Sequence, residues 1–358
     1  MSAIPLPLQL SFYRALRRIR GLDERMQALQ RQGRIGFYGT CTGQEAVPVA
    51  IGFAMQHSDW VFPALRESSV LLVRGFPLAS YLAQVFGSDR DVLRGRQMPS
   101  HMSGRSANVV SWSSCIGTQL THAVGAAWAA KMRRESMVSV ACMGDGATSS
   151  ADFHSALNFA QVFRVPCVFV CQNNQWAIST PAARQSNTAT FAERALAYAM
   201  PAERVDGNDV CALYLAFQAA AERARAGLGP TFLECVTYRM GPHSTSDDPT
   251  MYRSEAEVSA WRSRDPIERL SRSLESQGAL DAVRRRAVAD ELNAELDAAL
   301  LLAEAEPPPP RASLFDDVYA ELPGHLLEQR KELFTPAKRI AHSSGPIKIV
   351  SLARDKPL

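Results

Sequence analysis

The sequence predicts an α/β fold whose central, mostly parallel sheet is flanked by helices, with helical extensions at both ends of the chain. Two short, continuous apolar runs, 137–143 and 165–172, are typical of strands that are buried on both faces. Between them, residues 152–163 place their apolar side chains on one face of a helix. A strand, a helix and a strand within about 36 residues (137 to 172) predict a βαβ unit, whose crossover is right-handed in nearly all cases.

Other segments add elements to this unit. Apolar residues recur at helical spacing within 11–32, which predicts an amphipathic helix. Residues 116–131 are dense in Ala and Gly, as in a helix packed closely against a sheet. The remaining predicted elements are helices at 46–56 and 78–86, a strand at 230–239, a charged helical region from 255 to 306, and a short helix at 313–322.

The order of these elements predicts four regions along the chain. They are a helical N-terminal segment at 1–95, an α/β core at 96–254 with a polar loop at 241–254, a helical part at 255–334, and a tail at 335–358. The tail is basic and polar, so we expect it to be poorly ordered. The proline run at 307–310 cannot continue a helix and therefore interrupts the helical part.

Composition excludes several classes of function. The net charge of +3 is too small to indicate a nucleic-acid partner. No apolar run approaches the roughly 20 residues that a membrane-spanning helix needs. The seven cysteines include no CxxC pair or zinc-ligand spacing, and this favours a reducing compartment. The N-terminal residues lack a secretory signal, so we expect a cytoplasmic enzyme without a nucleic-acid or membrane partner.

The strongest chemical signal is a pair of polar motifs, each of which directly follows a buried strand. GDGATSS (144–150) follows the first strand and QNNQWAIST (172–180) the second, so Asp145 and Asn174 lie 29 positions apart (174 − 145). The carboxyl ends of parallel strands are where α/β sheets bind ligands. Carboxylate and amide oxygens suit Mg²⁺, which takes further oxygens from phosphates. Glycines here allow a diphosphate to approach the backbone, and hydroxyls at 148–150 can cap the next helix.

These motifs belong to a longer resemblance. Gly-Asp-Gly followed after about thirty residues by Asn-Asn resembles the signature of thiamine-diphosphate enzymes. Nearly the whole chain is similar to the alpha subunits of branched-chain 2-oxo acid dehydrogenases, and the resemblance implies the thiamine-diphosphate-binding fold. The segments that carry the resemblance are RQGRIGFY (31–38), GRQMPSH (95–101), SSCIGTQ (113–119), QNNQWAISTP (172–181), RVDGNDV (204–210), YRMGPHSTSDDPTMYRS (238–254) and the SLFDDVY segment.

The resemblance implies a role for individual residues. Asp145, the side chain of Asn174 and the backbone carbonyl of Trp176 would bind Mg²⁺. The residues implied to contact thiamine diphosphate are Arg66, Gly146 and Ala147 at the diphosphate, Ser114 and Ile116 at the aminopyrimidine ring, Gln172, and His243 at the reacting centre. The residues implied to hold a monovalent cation such as K⁺ are Ser113, Cys115, Thr118 and Gln119, which equally describe a polar helix N-terminus.

Three positions depart from the family pattern. Gln172 replaces an arginine that contacts the diphosphate, and losing such a charge-assisted hydrogen bond costs about 1.5–3 kcal/mol. Leu65 replaces a tyrosine, and Pro242 replaces a histidine beside His243. These changes put cofactor affinity and substrate preference in doubt more than activity. Ser244 and Ser254 match phosphorylation sites of mitochondrial relatives, but here we expect their hydroxyls to cap the loop.

The resemblance also implies partners. The sequence contains one α/β region, whereas the family's site lies between two, so a beta subunit in an α₂β₂ assembly would supply the activating glutamate. The acyl group of the 2-oxo acid would pass to lipoyl-lysine on an acyltransferase. Two alternatives remain open, a pyruvate- or acetoin-type dehydrogenase subunit and a non-catalytic paralogue that only binds partners.

Overall fold

The computed structural model describes residues 4–335, and the chain divides into two units after Pro309. The helices up to that division are α1 (Leu6–Arg31), α2 (Ala46–Ala54), α3 (Val70–Val73), α4 (Leu78–Phe86), α5 (Thr118–Met132), α6 (Ala151–Val162), α7 (Val210–Arg225), α8 (Glu255–Arg262), α9 (Pro266–Ser276) and α10 (Ala282–Ala305). The strands are β1 (Trp60–Phe62), β2 (Ser139–Gly144), β3 (Cys167–Asn173), β4 (Trp176–Ala177), β5 (Thr180–Pro181), β6 (Ala202–Asp206) and β7 (Thr231–Val236).

A five-stranded sheet in the order β1-β2-β3-β7-β6 forms the centre of the first unit, and every neighbouring pair in it is parallel. The register places Gly144 opposite Gln172 and Gln172 opposite Cys235, so three strands end at one edge of the sheet. Strands β4 and β5 form a separate antiparallel hairpin just beyond the end of β3. This topology confirms the predicted α/β fold with a parallel central sheet.

Side chains along the central strands point alternately to the two faces of the sheet, and each face packs in its own hydrophobic core. Val140 and Val168 pack in a cluster with α1, α2, α4, α7, α9 and α10, whereas Ala141 and Phe169 pack with α5 and α6. Because successive side chains of a strand point to opposite faces, a strand that is covered on both sides is apolar throughout. This explains why β2 and β3 were visible in the sequence as uninterrupted apolar runs.

Most predicted elements match the structure closely, including α4 at 78–86 and the β2–α6–β3 unit. The short β1, the edge strand β6 and helix α7 were not predicted. The prediction of a helix at 313–322 was wrong: in the second unit a 3₁₀ helix covers Arg311–Phe315, and an α-helix, α11, covers Gly324–Phe334. The four-region division stays a prediction, and all of the predicted tail except Thr335 lies outside the described residues. Within residues 4–335, no helix has the length and apolarity required to cross a membrane.

Candidate functional site

A cavity of about 720 Å³ lies at the carboxyl ends of β1, β2 and β3. The loops that follow these strands line it, together with the segment before α5 and the loop that contains His243. Of the predicted site residues, all but Cys115 and Thr118 line this cavity: Arg66, Ser113, Ser114, Ile116, Gln119, Asp145, Gly146, Ala147, Gln172, Asn174, Trp176 and His243. The fold therefore brings together residues that are up to 177 positions apart in the sequence (Arg66 to His243).

The two candidate metal ligands at this edge are both buried. Asp145 accepts a hydrogen bond from Gln185 Nε2 at 2.6 Å, and burial raises the pKa of its carboxyl group above the ordinary value. Asn174 accepts at Oδ1 from the backbone N–H of Trp176 at 3.1 Å and donates from Nδ2 to Gln44 at 2.8 Å. Each therefore has an oxygen with remaining acceptor capacity at the end of neighbouring parallel strands.

The donor set suits a hard cation with phosphate ligands. Within residues 4–335, no group of three or more His, Cys, Asp or Glu side chains is arranged to hold a metal ion. A cation here would therefore be bound by one carboxylate, by neutral oxygens and by the oxygens of a ligand, as Mg²⁺ often is. The backbone carbonyl of Trp176 accepts from Arg239 Nη1 at 3.3 Å, a long contact that a cation would replace or share.

Two buried arginines give the site a positive charge. Burial and the nearby charge of Arg239 lower the pKa of Arg66 to about 10, and burial is likewise the main cause of the lowered pKa of Arg239. Arg66 donates to the backbone carbonyls of Thr40 and, at 2.6 Å, of His243. Its contacts are thus neutral carbonyls and an imidazole, and a bound anion would relieve the repulsion between the two guanidinium groups.

The turn after β2 is shaped for close approach of a ligand to the backbone. A Cβ atom at Gly146 would lie 2.7 Å from the Cβ of Ala177, so any side chain there would displace the β4 segment. Ser150 caps α6 by accepting from the N–H of Phe153 at 3.2 Å, as the hydroxyls at 148–150 predicted. A 3₁₀ helix, Asp145–Ser149, forms this turn, and its first three residues line the cavity.

The predicted monovalent-cation residues form the entry to α5. The Ser113 hydroxyl accepts from the N–H of Cys115 at 3.2 Å, and Thr118 Oγ1 donates to the carbonyl of Cys115 at 3.0 Å. Gln119 instead extends to the carbonyl of Cys142 at 2.8 Å, and its own amide oxygen is buried with no hydrogen-bond partner among residues 4–335. These contacts describe a polar helix N-terminus, and the cation stays a prediction.

His243 is held by its backbone rather than by its ring. Its N–H donates to Asp247 at 2.6 Å and its carbonyl accepts from Arg66, while ring Nδ1 lies 3.3 Å from the Arg66 guanidinium. Burial and the positive charges of Arg66 and Arg239 lower the pKa of His243 to about 4. The sequence left its charge at working pH open, and the structure makes the imidazole neutral there.

Sequence reasoning missed a histidine that contacts a predicted cofactor residue. His101 Nε2 lies 2.5 Å from the hydroxyl of Ser114, and Nδ1 lies 3.0 Å from the carbonyl of Pro99. A carbonyl can only accept, so Nδ1 donates to Pro99 and Nε2 faces the hydroxyl of Ser114. Ser114 is thereby left with acceptor capacity toward the cavity. The GRQMPSH segment carried the signal, since it places a histidine near the predicted site.

Arg239, Gln44 and Gln185 were also missed as site residues. Arg239 follows β7 and donates to the carbonyl of Ile178 and to the hydroxyl of Tyr252, both at 2.7 Å, so it ties the hairpin segment to the 241–254 loop. The position of an arginine just after a buried strand was the available signal. For Gln44 and Gln185 the sequence offers none, because their roles come from contacts with Asn174 and Asp145.

The departures from the family pattern are accommodated in different ways. Gln172 is buried and donates a hydrogen bond to Gln44 at 3.0 Å. Leu65 packs against Gly39 so closely that a Cβ atom at Gly39 would lie 2.7 Å from the Leu65 side chain.

The two loop serines make local hydrogen bonds. Ser254 caps α8 by accepting from the N–H of Glu257, and the Ser244 hydroxyl accepts from the N–H of Ser246. Both serine hydroxyls therefore have the local capping contacts that were expected of them.

Comparison with known proteins shows the family to which the chain belongs. The family model described as "Dehydrogenase E1 component" matches residues 13–312. The chain is 42% identical over 327 residues to the 2-oxoisovalerate dehydrogenase subunit alpha of Pseudomonas aeruginosa, covering 89% of this chain and 80% of the relative. It is 45% identical over 317 residues to the 3-methyl-2-oxobutanoate dehydrogenase subunit alpha of Mycobacterium tuberculosis (88% and 83%). It is 40% identical over 331 residues to the mitochondrial 2-oxoisovalerate dehydrogenase subunit alpha of Homo sapiens (92% and 74%).

Proposed function

The chain belongs to the dehydrogenase E1 component family, and we propose that it is the alpha subunit of a branched-chain 2-oxo acid dehydrogenase. Enzymes of this family depend on thiamine diphosphate. The observation that carries the proposal is the cavity where Asp145 and Asn174 end two adjacent parallel strands beside the paired charges of Arg66 and Arg239. Such a site suits a diphosphate with its Mg²⁺.

When bound, thiamine diphosphate supplies the electron sink for removing CO₂ from a 2-oxo acid. In this proposal Asp145, Asn174 and the carbonyl of Trp176 hold Mg²⁺. Arg66 and the amides of Gly146 and Ala147 bind the diphosphate. Gln172 would stand on the diphosphate side, where relatives carry an arginine. The aminopyrimidine ring would meet Ser114 and the backbone of Ile116, while Ser113, Cys115, Thr118 and Gln119 would hold K⁺. His243, neutral at pH 7, donates or accepts one hydrogen bond beside the reacting atoms.

The proposal includes a beta subunit that completes the site. Glu67 is the one glutamate among the residues that line the described cavity, and its carboxyl group accepts from the backbone N–H of Ala64 at 3.0 Å. Because the Glu67 carboxyl group is hydrogen-bonded within its own turn, we assign the activating glutamate to the beta subunit of an α₂β₂ assembly. The acyl group then passes to lipoyl-lysine on the acyltransferase of the complex.

The cavity wall supports an aliphatic substrate. Leu65, Met98, Ile116 and Ile178 line it, and the side chains of the last three are more than half exposed. Such a surface favours the branched side chain of 3-methyl-2-oxobutanoate over the methyl group of pyruvate. Each additional methylene in an apolar pocket is worth about 1–3 kcal/mol, so moderate discrimination is expected.

The test is a comparison of kcat/KM for the two 2-oxo acids with the enzyme assembled from this chain and its beta subunit. We expect the branched substrate to have the higher value by about tenfold or more. A preference for pyruvate would assign the chain to the pyruvate-type subclass. Absence of any cofactor-dependent decarboxylation by the assembled enzyme would support the non-catalytic alternative.

A further inference from the structure

Three buried amide side chains form a hydrogen-bonded row beside the proposed metal site. The amide oxygen of Gln44 accepts from Asn174 Nδ2 at 2.8 Å and from Gln172 Nε2 at 3.0 Å. All three side chains are buried, and Gln44 is completely so. Gln44 lies in the turn before α2, whereas its two partners stand at the end of β3, 130 and 128 positions further along the chain.

A backbone group fixes the orientation of the whole row. The N–H of Trp176 points at Asn174 Oδ1 from 3.1 Å, and a backbone N–H can only donate. Turning the Asn174 amide over would place its NH₂ group against that N–H. Asn174 Nδ2 must therefore face Gln44, so Gln44 presents its oxygen, and Gln172 in turn presents its nitrogen.

This orientation leaves two buried atoms without a partner within the described residues, Gln44 Nε2 and Gln172 Oε1. An unpaired buried donor is unfavourable, so the Gln44 amide is not explained by packing alone. Its oxygen, by contrast, satisfies two amides at once. Gln172 lines the cavity, and its free oxygen can accept from a donor such as a metal-bound water.

We propose that Gln44 is a positioning residue for Mg²⁺. Together with the N–H of Trp176, its amide oxygen clamps the Asn174 side chain so that Oδ1, and not Nδ2, is available to the metal. The inference rests on the proposed function, because it assumes Mg²⁺ at Asp145 and Asn174. Groups that orient a metal ligand in this way typically change metal affinity by about 10–100-fold when they are removed.

The experiment measures Mg²⁺ affinity by calorimetry, with the assembled, cofactor-stripped enzyme and saturating thiamine diphosphate. Gln44→Met, which keeps the length of the side chain but has no acceptor oxygen, should weaken Mg²⁺ binding by about 10–100-fold. Gln44→Glu keeps an oxygen toward both amides and should remain within about threefold of the wild type. If Gln44→Met binds Mg²⁺ as tightly as the wild type, the proposal is overturned. This holds also if the variant unfolds at a lower temperature, because Gln44 would then stabilise the fold without affecting the metal.

A double-mutant cycle separates positioning from a general structural effect. In Asn174→Asp both branches of the side chain end in oxygen, so the metal no longer depends on which branch faces it. In that background, Gln44→Met should change Mg²⁺ affinity by less than about threefold. A loss as large as in the Asn174 background would overturn the proposal. If Asn174→Asp alone abolishes Mg²⁺ binding, the comparison of Gln44→Glu with Gln44→Met decides. An equal loss of Mg²⁺ affinity in these two variants would contradict the positioning role.

The wild-type measurement keeps this inference distinct from the proposed function. Absence of Mg²⁺-dependent cofactor binding by the assembled wild-type enzyme would contradict the proposed function itself. Normal wild-type binding that does not respond to Gln44→Met contradicts only the role of Gln44.

Discussion

Removing the imidazole of His243 should lower the turnover of the assembled enzyme without weakening cofactor binding. The contacts that hold this residue run through its backbone, from its N–H to Asp247 and from Arg66 to its carbonyl. His243→Ala leaves both contacts in place, so the loop should keep its position. We therefore expect the affinity for thiamine diphosphate to stay within about threefold of the wild type, because only a ring contact is lost.

The expected loss in turnover follows from the role of one placed hydrogen-bonding group. Such a group typically contributes about 10²–10³-fold in rate. His243→Ala should accordingly lower kcat at least about a hundredfold, which corresponds to about 2.7 kcal/mol of transition-state stabilisation. Because burial and two arginines lower the pKa of His243 to about 4, the ring is neutral at pH 7. The pH profile of kcat should thus show no inflection from this residue near its ordinary value of 6.5.

The assay pairs steady-state decarboxylation with calorimetric titration of thiamine diphosphate on the same preparation. Thr250→Ala is the matched control, since Thr250 lies in the same loop and its exposed hydroxyl donates to Asp248, its one hydrogen-bond partner in the part of the chain that the structure describes. Near-normal kcat in His243→Ala would refute the assignment and make His243 a structural loop residue. A large loss of cofactor affinity would instead refute the argument that the backbone contacts position the loop.

Three further predictions follow from the site. Asp145→Ala should abolish Mg²⁺-dependent cofactor binding in calorimetry, and unchanged affinity would contradict its role as a ligand. The purified chain alone should not decarboxylate 2-oxo acids, whereas addition of the beta subunit should restore turnover; activity of the isolated chain would contradict obligate partnership. Burial raises the pKa of Glu67 from 4.5 to about 7, so the folded state binds its proton more tightly and stability falls as pH rises through this range. Glu67→Gln should therefore raise the free energy of unfolding at pH 8 by about 1–3 kcal/mol in urea denaturation and preserve turnover; loss of turnover would make Glu67 the activating carboxylate.

The βαβ unit and the two motifs that follow its strands could be predicted because their signals are local. A parallel strand that is covered on both faces is apolar along most of its length, as β2 is at 140–143 and β3 at 167–171. The edge strand β6 has no such signal, since Glu203 and Arg204 are exposed there. Strand β1, with three residues, is too short to produce a recognisable period.

The sequence by itself determined the candidate metal ligands and the chemical class of the site, since Asp145 and Asn174 directly follow strands whose ends must meet at one edge. Only the tertiary structure decided how these groups are oriented and charged. The neutral state of His243 depends on Arg66 and Arg239, and the orientation of Asn174 depends on Gln44 and on a backbone N–H. A pKa and an amide orientation are set by desolvation and by neighbours within a few ångströms, and those neighbours are distant in sequence until the chain folds.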